Sequence, residues 1–139
     1  MKRYLVIGLV AAVALIGTTA TRAYAHHSFA ATYLEDQTVT IEGDLVQFLF
    51  RNPHSFVHVM VKEPDGSMVR YAVEWGGAGQ LGGQGVTRET LKPGDHVIIT
   101  GAPGRNASDH RIRMITLYRA KTASEPELSW GKKPDQKFD

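Results

Sequence analysis

From residue 38 onward, apolar and polar positions alternate in short runs separated by turn residues, the period-two signature of half-buried strands. Residues 38–50 place Val39, Ile41 and Leu45 on one parity, and Gly43 inside the run predicts a bulge or tight bend. Arg51-Asn52-Pro53 ends it. Residues 55–61 alternate, with Val57, Val59 and Val61 on one parity and His54, Phe56, His58 and Met60 on the other. The cluster Glu63-Pro64-Asp65-Gly66-Ser67 reads as a turn, and residues 68–75 place Val69, Tyr71, Val73 and Trp75 together. Residues 97–101 and 111–117 predict two more strands, joined by a polar loop over 102–110.

The two central strands constrain their own register. Placing the three valines opposite Val69, Tyr71 and Val73 makes the paired residue numbers sum to an even value. That requires a loop with an odd number of residues, such as three, rather than a two-residue turn. His54, His58, Arg70 and Glu74 then share the opposite face.

Residues 76–85 contain six glycines and read as a tightly turned or mobile loop. Gly77-Ala78-Gly79-Gln80-Leu81-Gly82 matches the dinucleotide fingerprint letter for letter, but that fingerprint needs a helix inside a βαβ unit. The glycine density argues against a helix here and the flanking pattern is antiparallel, so no nucleotide is expected. Residues 87–91 predict one helical turn with Thr87 as N-cap, and Pro93-Gly94 a type II turn. The fold expected is all-β: a small five-stranded barrel of OB type with one short helical turn. A two-sheet sandwich is the alternative.

The first 25 residues have a different character. A basic Met1-Lys2-Arg3, an apolar run over 4–16 and a small-residue stretch ending Ala23-Tyr24-Ala25 form the layout of a cleavable secretory signal. The apolar run is short of the roughly 20 residues that span a bilayer, so no membrane span is expected after cleavage. Cleavage after Ala25 is the first choice, with Ala20 and Ala23 also permissible. The chain thus divides into a signal peptide with its helix (1–25), an N-terminal segment (26–37), a β-barrel domain (38–119) and a tail (120–139). The tail reads as disordered, with Trp130 and Phe138 as anchors.

Export changes the charge. The whole sequence has 16 basic and 14 acidic residues, net +2. Losing Lys2, Arg3 and Arg22 leaves 13 against 14, or −1, which gives no electrostatic footprint for nucleic acid. With no cysteine, disulfides, thiolate metal sites and cysteine nucleophiles are excluded.

Histidine is then the main source of chemistry. A cut after Ala25 makes His26 the first residue, whose α-amine and imidazole can chelate one metal, the geometry of a histidine brace. Neutral nitrogen ligands in a tetragonal arrangement favour Cu(II) or Ni(II), and an α-amine with a pKa near 7.7–8.0 deprotonates readily for binding. A cut after Ala23 instead places His26 third, where the amine and intervening amides also bind these ions. The plain alternative is that His26 and His27 form a polar, flexible start.

His54 follows Asn52-Pro53 at a strand start, within diagonal reach of Glu74 on the next strand. That carboxylate can orient the imidazole or coordinate directly; a hydrogen-bonded pair fixing the hairpin is the structural alternative. The candidate metal set is therefore His26, His27, His54 and Glu74. His58 is weaker, because a solvated strand position suits it better. His96 and His110 read as exposed, and Met60 as a gap-filler rather than a soft ligand. Ser28 and Ser55 lack a nucleophile elbow or oxyanion hole, and the carboxylates of Glu35-Asp36 and of Glu125 and Glu127 read as solvated.

Four motifs occur in order: His26-His27-Ser28-Phe29, Asn52-Pro53-His54-Ser55, Tyr71-Ala72-Val73-Glu74-Trp75 and Leu91-Lys92-Pro93-Gly94-Asp95. Over residues 26–117 the chain resembles a family of small exported bacterial proteins of unknown function that carry such motifs. The resemblance implies a Gram-negative periplasmic setting and directs attention to His26, His27, His54 and Glu74. It implies no activity. The glycine-rich loop and the long tail depart from the family pattern. Two functions are expected to compete: a periplasmic, non-enzymatic copper-binding protein, and a metal-free barrel that binds a small molecule, glycan or protein partner through the Phe56/Trp75 region and the glycine-rich loop. A brace-type copper oxidase or oxygenase is a third, weaker option.

Overall fold

The computed structural model describes residues 29–131. The signal segment, His26, His27 and Phe138 lie outside the described residues. The chain divides into one unit ending at Thr32, of which residues 29–32 form a helical turn, and a second unit beginning at Tyr33.

The second unit is a closed barrel. Its strands are β1 (Val39–Leu49), β2 (Phe56–Lys62), β3 (Met68–Glu74), β4 (His96–Pro103) and β5 (Arg111–Arg119), followed by a short β6 (Leu128–Trp130). The sheet order is β3-β2-β1-β4-β5-β6, and a parallel pairing of β3 with β5 closes the five-stranded ring. Closure pairs most of the edge that a sheet of this size would otherwise expose, and the expected OB-like barrel is present.

Register follows the valine pattern. Val57 pairs with Val73, Val59 with Tyr71 and Val61 with Val69, so every pair sums to an even number. The connecting loop is odd in length, but it has five residues between Lys62 and Met68 rather than three. Glu63 N donates to Ser67 O, and Gly66 takes a φ of +87° that favours glycine.

The inward residues Ile41, Leu45, Val57, Val59, Val73, Val97, Ile99, Ile112 and Leu117 form one apolar cluster. Two bulges serve it. The β1 register shifts between Leu45 and Gln47, which turns Val46 outward and returns Phe48 toward the core. A second shift, between Thr100 and Gly101 on β4, leaves Ile115 of β5 unpaired. Val46 and Ile115 are accordingly two of the three large exposed apolar side chains among the described residues. The bulge thus lies at Val46, not at Gly43. Gly43 marks a close approach instead: a Cβ there would stand 2.2 Å from the carbonyl oxygen of Met60.

The helix position also differs from expectation. Residues 87–91 make a hydrogen-bonded turn, in which Thr90 N donates to Thr87 O, while the short helix α1 is Ala78–Gly82, inside the glycine-rich stretch. Tertiary contacts outweigh the low glycine propensity. Ala78 N donates to Arg51 O and Gly79 N to Asn52 Oδ1, so the β1–β2 loop satisfies the first amides of the helix. Gly77 lets the two loops meet, since a Cβ there would lie 2.5 Å from Pro53 O. Leu81 is fully buried in the core cluster. At Pro93-Gly94 the expected type II turn forms, with Asp95 N bonded to Lys92 O and Gly94 at φ +92°.

The tail is the third difference. Instead of running free from residue 120, the chain folds back and β6 pairs antiparallel with the end of β5. The cause is Arg119, which is 4% exposed. Its guanidinium bonds Asp95 Oδ2 at 3.0 Å, Glu125, and Pro126 O at 3.1 Å. A buried guanidinium needs such partners, and Glu125 is therefore not a solvated carboxylate. Trp130 serves as the expected anchor, packing edge-on against Trp75 with ring centroids 5.1 Å apart and donating to Gln84.

Candidate functional site

The site forms where the barrel closes. Phe56 pairs with Glu74, and the ladder continues past them: Ser55 N donates to Gly76 O and Trp75 N to Ser55 O. His54 thus sits on a fixed stretch of backbone rather than on a free loop. Ser55 is buried, and its hydroxyl is tied to the backbone of Arg51, a structural role.

Glu74 is the hub. It is 7% exposed, and three side chains surround its carboxylate. His54 Nδ1 lies 2.5 Å from Oε1. On the other oxygen, Oε2, Tyr33 donates its hydroxyl and Arg111 Nη2 lies at 3.1 Å. A buried carboxylate held by a cation and two polar hydrogens is a stable way to place negative charge in a low-dielectric setting. Burial, then the hydrogen bond to Glu74, pushes the Tyr33 phenol well above its ordinary pKa, so it stays protonated as a donor. The Arg111 guanidinium also lies 5.7 Å from the ring centroid of Tyr33 and 5.8 Å from that of Phe56.

His54 and Glu74 are therefore brought together as their spacing implied. The His54 side chain is 40% exposed while that of Glu74 is 9% exposed. With Nδ1 committed to the carboxylate, coordination of a metal would use Nε2. His58 lies on the same face, opposite Ala72, and stacks on Phe56 at 6.4 Å without joining the cluster. Burial, and then the charges of Arg70 and Arg51, lower its pKa. Met60 lies further along β2, between Asp44 and Arg70. His96 is exposed, with Nδ1 at 2.8 Å from Asp44 and Nε2 at 2.9 Å from Glu42. His110 is half-buried against Tyr71 rather than exposed. Among the described residues, no three His, Asp or Glu side chains converge as a metal site.

Tyr33 and Arg111 were not legible as site residues. Tyr33 falls in the segment before the first strand, and its position depends on an isolated bridge to Gly104. Arg111 reaches Glu74 only because β3 and β5 pair in parallel, which no local pattern encodes. Phe56 and Trp75 do not form one surface: Trp75 is buried in the core and Phe56 is on the outer face. An open groove of about 670 Å³ lies elsewhere, lined in part by Val39, Ile41, Val61, Tyr71, His110 and Ile112. Among the described residues no helix is long and apolar enough to cross a membrane.

No curated protein matches the chain significantly. The model of one family matches residues 13–113, most of the sequence, and the chain belongs to that family, DUF6152, a family of unknown function.

Proposed function

We propose that the protein is exported to the periplasm, is cut to begin at His26, and binds copper there without catalysing a reaction. The ligands are the α-amine and imidazole of His26, the neighbouring His27 and the imidazole of His54, with Glu74 as the orienting carboxylate. The observation that carries this reading is the His54–Glu74 pair. A buried carboxylate on Nδ1 selects the tautomer that presents Nε2 to a metal and raises its basicity. An ion bound with no thiolate and mainly neutral nitrogen donors favours copper.

Titration of the purified, processed protein with Cu(II), followed by its visible d–d absorption and by intact mass, tests the reading. Stoichiometric tight binding is expected, together with a mass that begins at His26. Inserting one glycine ahead of His26 removes the amine–imidazole chelate and is expected to abolish tight binding. Full affinity in that variant would sink the proposal. A second reading, a metal-free barrel that takes a small ligand, is favoured by the open groove, whose lining combines apolar Val39, Ile41 and Ile112 with polar Gln37, Arg105 and Asn106. It requires that protein recovered from cells contain no stoichiometric metal.

A further inference from the structure

The outer face of β2 and β3 carries positive charge that the His54–Glu74 pair does not use. Phe56 lies at one end of this face, where β2 begins, with Arg51 Cζ 5.4 Å and Arg111 Cζ 5.8 Å from the ring centroid. Arg70 stands further along, opposite Met60, and among the described residues its guanidinium is held by Gln47 Oε1 alone, at 3.2 Å. Phe56 and Met60 are four residues apart, about 13 Å along a strand. Glu74 is already engaged by His54, Tyr33 and Arg111, and Asp44, across from Met60, is bonded to His96. Among the described residues no carboxylate pairs with Arg51 or Arg70. Both also contribute to the lowered pKa of His58, after burial. The concentration is local, because the sequence as a whole carries only +2.

We propose that this face binds an acidic polysaccharide, with Arg51 and Arg70 engaging successive anionic groups of a chain laid along β2. Planar guanidinium groups suit bidentate pairing with carboxylate, and two of them on one face, neither paired with a carboxylate among the described residues, suit a ligand that repeats its carboxylates. Nucleic acid fits less well. Phe56 is already stacked by Arg51, Arg111 and His58, so it offers no open ring for base stacking.

The test uses purified protein kept in a metal chelator and titrated calorimetrically at low salt with polygalacturonate. Neutral dextran and a single-stranded oligothymidylate are the comparison ligands. Polygalacturonate is expected to bind, to weaken as salt is raised, and to bind more strongly than the oligonucleotide; dextran is expected not to bind. Arg51→Glu combined with Arg70→Glu is expected to cost at least about tenfold in affinity. Arg88→Glu, on the exposed stretch after α1, should leave affinity unchanged. Thermal melts establish that the double variant folds; if it does not, Arg51→Gln with Arg70→Gln replaces it, with a loss of a few-fold expected. The proposal is overturned by absent polygalacturonate binding at low salt, by undiminished binding to a folded double variant, or by tighter binding of the oligonucleotide. Metal is absent throughout, so a failure of the copper reading does not alter these outcomes.

Discussion

At the scale of single residues, Glu74 carries the most consequence. It fixes one nitrogen of His54 and is itself fixed by Tyr33 and Arg111. Glu74→Gln keeps the size of the side chain but replaces one acceptor oxygen with a donor and removes the charge that favours the Nδ1-protonated tautomer. The expected result is a fall in copper affinity of about 10–100-fold, read by competition with a chelator of known strength; unchanged affinity would place His54 outside the copper site. Tyr33→Phe, which removes only one donor to the same carboxylate, should have a smaller effect. His96 supports a separate prediction. Hydrogen bonds that its ring N–H groups donate to Glu42 and then to Asp44 raise its pKa above the ordinary value of 6.5. Its stabilising contribution is therefore complete below that value and is lost as pH rises through the raised folded-state pKa. His58 has the opposite sign, because its lowered pKa makes the fold lose stability as pH falls. Thermal melts from about pH 5 to 8 should show the His96→Asn variant lacking the decline at the alkaline side that the parent protein shows. Parallel curves for the two would rule out the ion-pair origin of that decline.

At the scale of elements, strands were far more legible than the features that interrupt them. The alternation of Val57, Val59 and Val61 against Val69, Tyr71 and Val73 predicts both a register and an odd loop, because side-chain period and register are the same quantity in a strand. It also places His54 and Glu74 in diagonal reach. Helix α1 was not legible, because its first amides are satisfied by Arg51 and Asn52, which are distant in sequence. Gly43 shows the same limitation. A glycine within a strand signals either a bulge or a close approach, and only the packing of β1 on β2 distinguishes them. Since a Cβ at this position would meet backbone rather than a movable side chain, Gly43→Ala is expected to destabilise the protein by about 2–3 kcal/mol. Urea denaturation provides the measurement. A loss below about 0.5 kcal/mol, the scale of an ordinary surface change, would show that β1 and β2 can separate locally without cost.

At the scale of the whole molecule, β5 is the strand on which closure depends. Residues Arg111 to Arg113 pair with β3 and complete the ring, while Leu117 to Arg119 pair with β6. The parallel seam is only three residue pairs long, and the Glu74–Arg111 ion pair and the Ala72 N to His110 O bond reinforce it. Site and seam are thus the same place, so ordering of the Glu74 cluster and closure of the barrel support each other. The tail protects the other end of β5. Its polar composition suggested disorder, yet composition could not reveal that Arg119 is buried and draws Glu125 and Pro126 back over it. A chain ending at Ala120 would leave Arg119 with Asp95 alone and expose the edge that β6 covers. Breaking a buried ion-pair network costs about 3–5 kcal/mol, and an uncovered edge invites pairing between copies. The truncated protein is therefore expected to unfold at markedly lower urea and to self-associate in sedimentation velocity. Glu125→Gln, which keeps the tail in place and removes one charge, should lose stability without gaining association. If truncation costs stability but the protein stays monomeric, the buried arginine accounts for the tail. If the shortened chain also associates, β6 has a second role as the cover of an edge that closure of the barrel leaves bare.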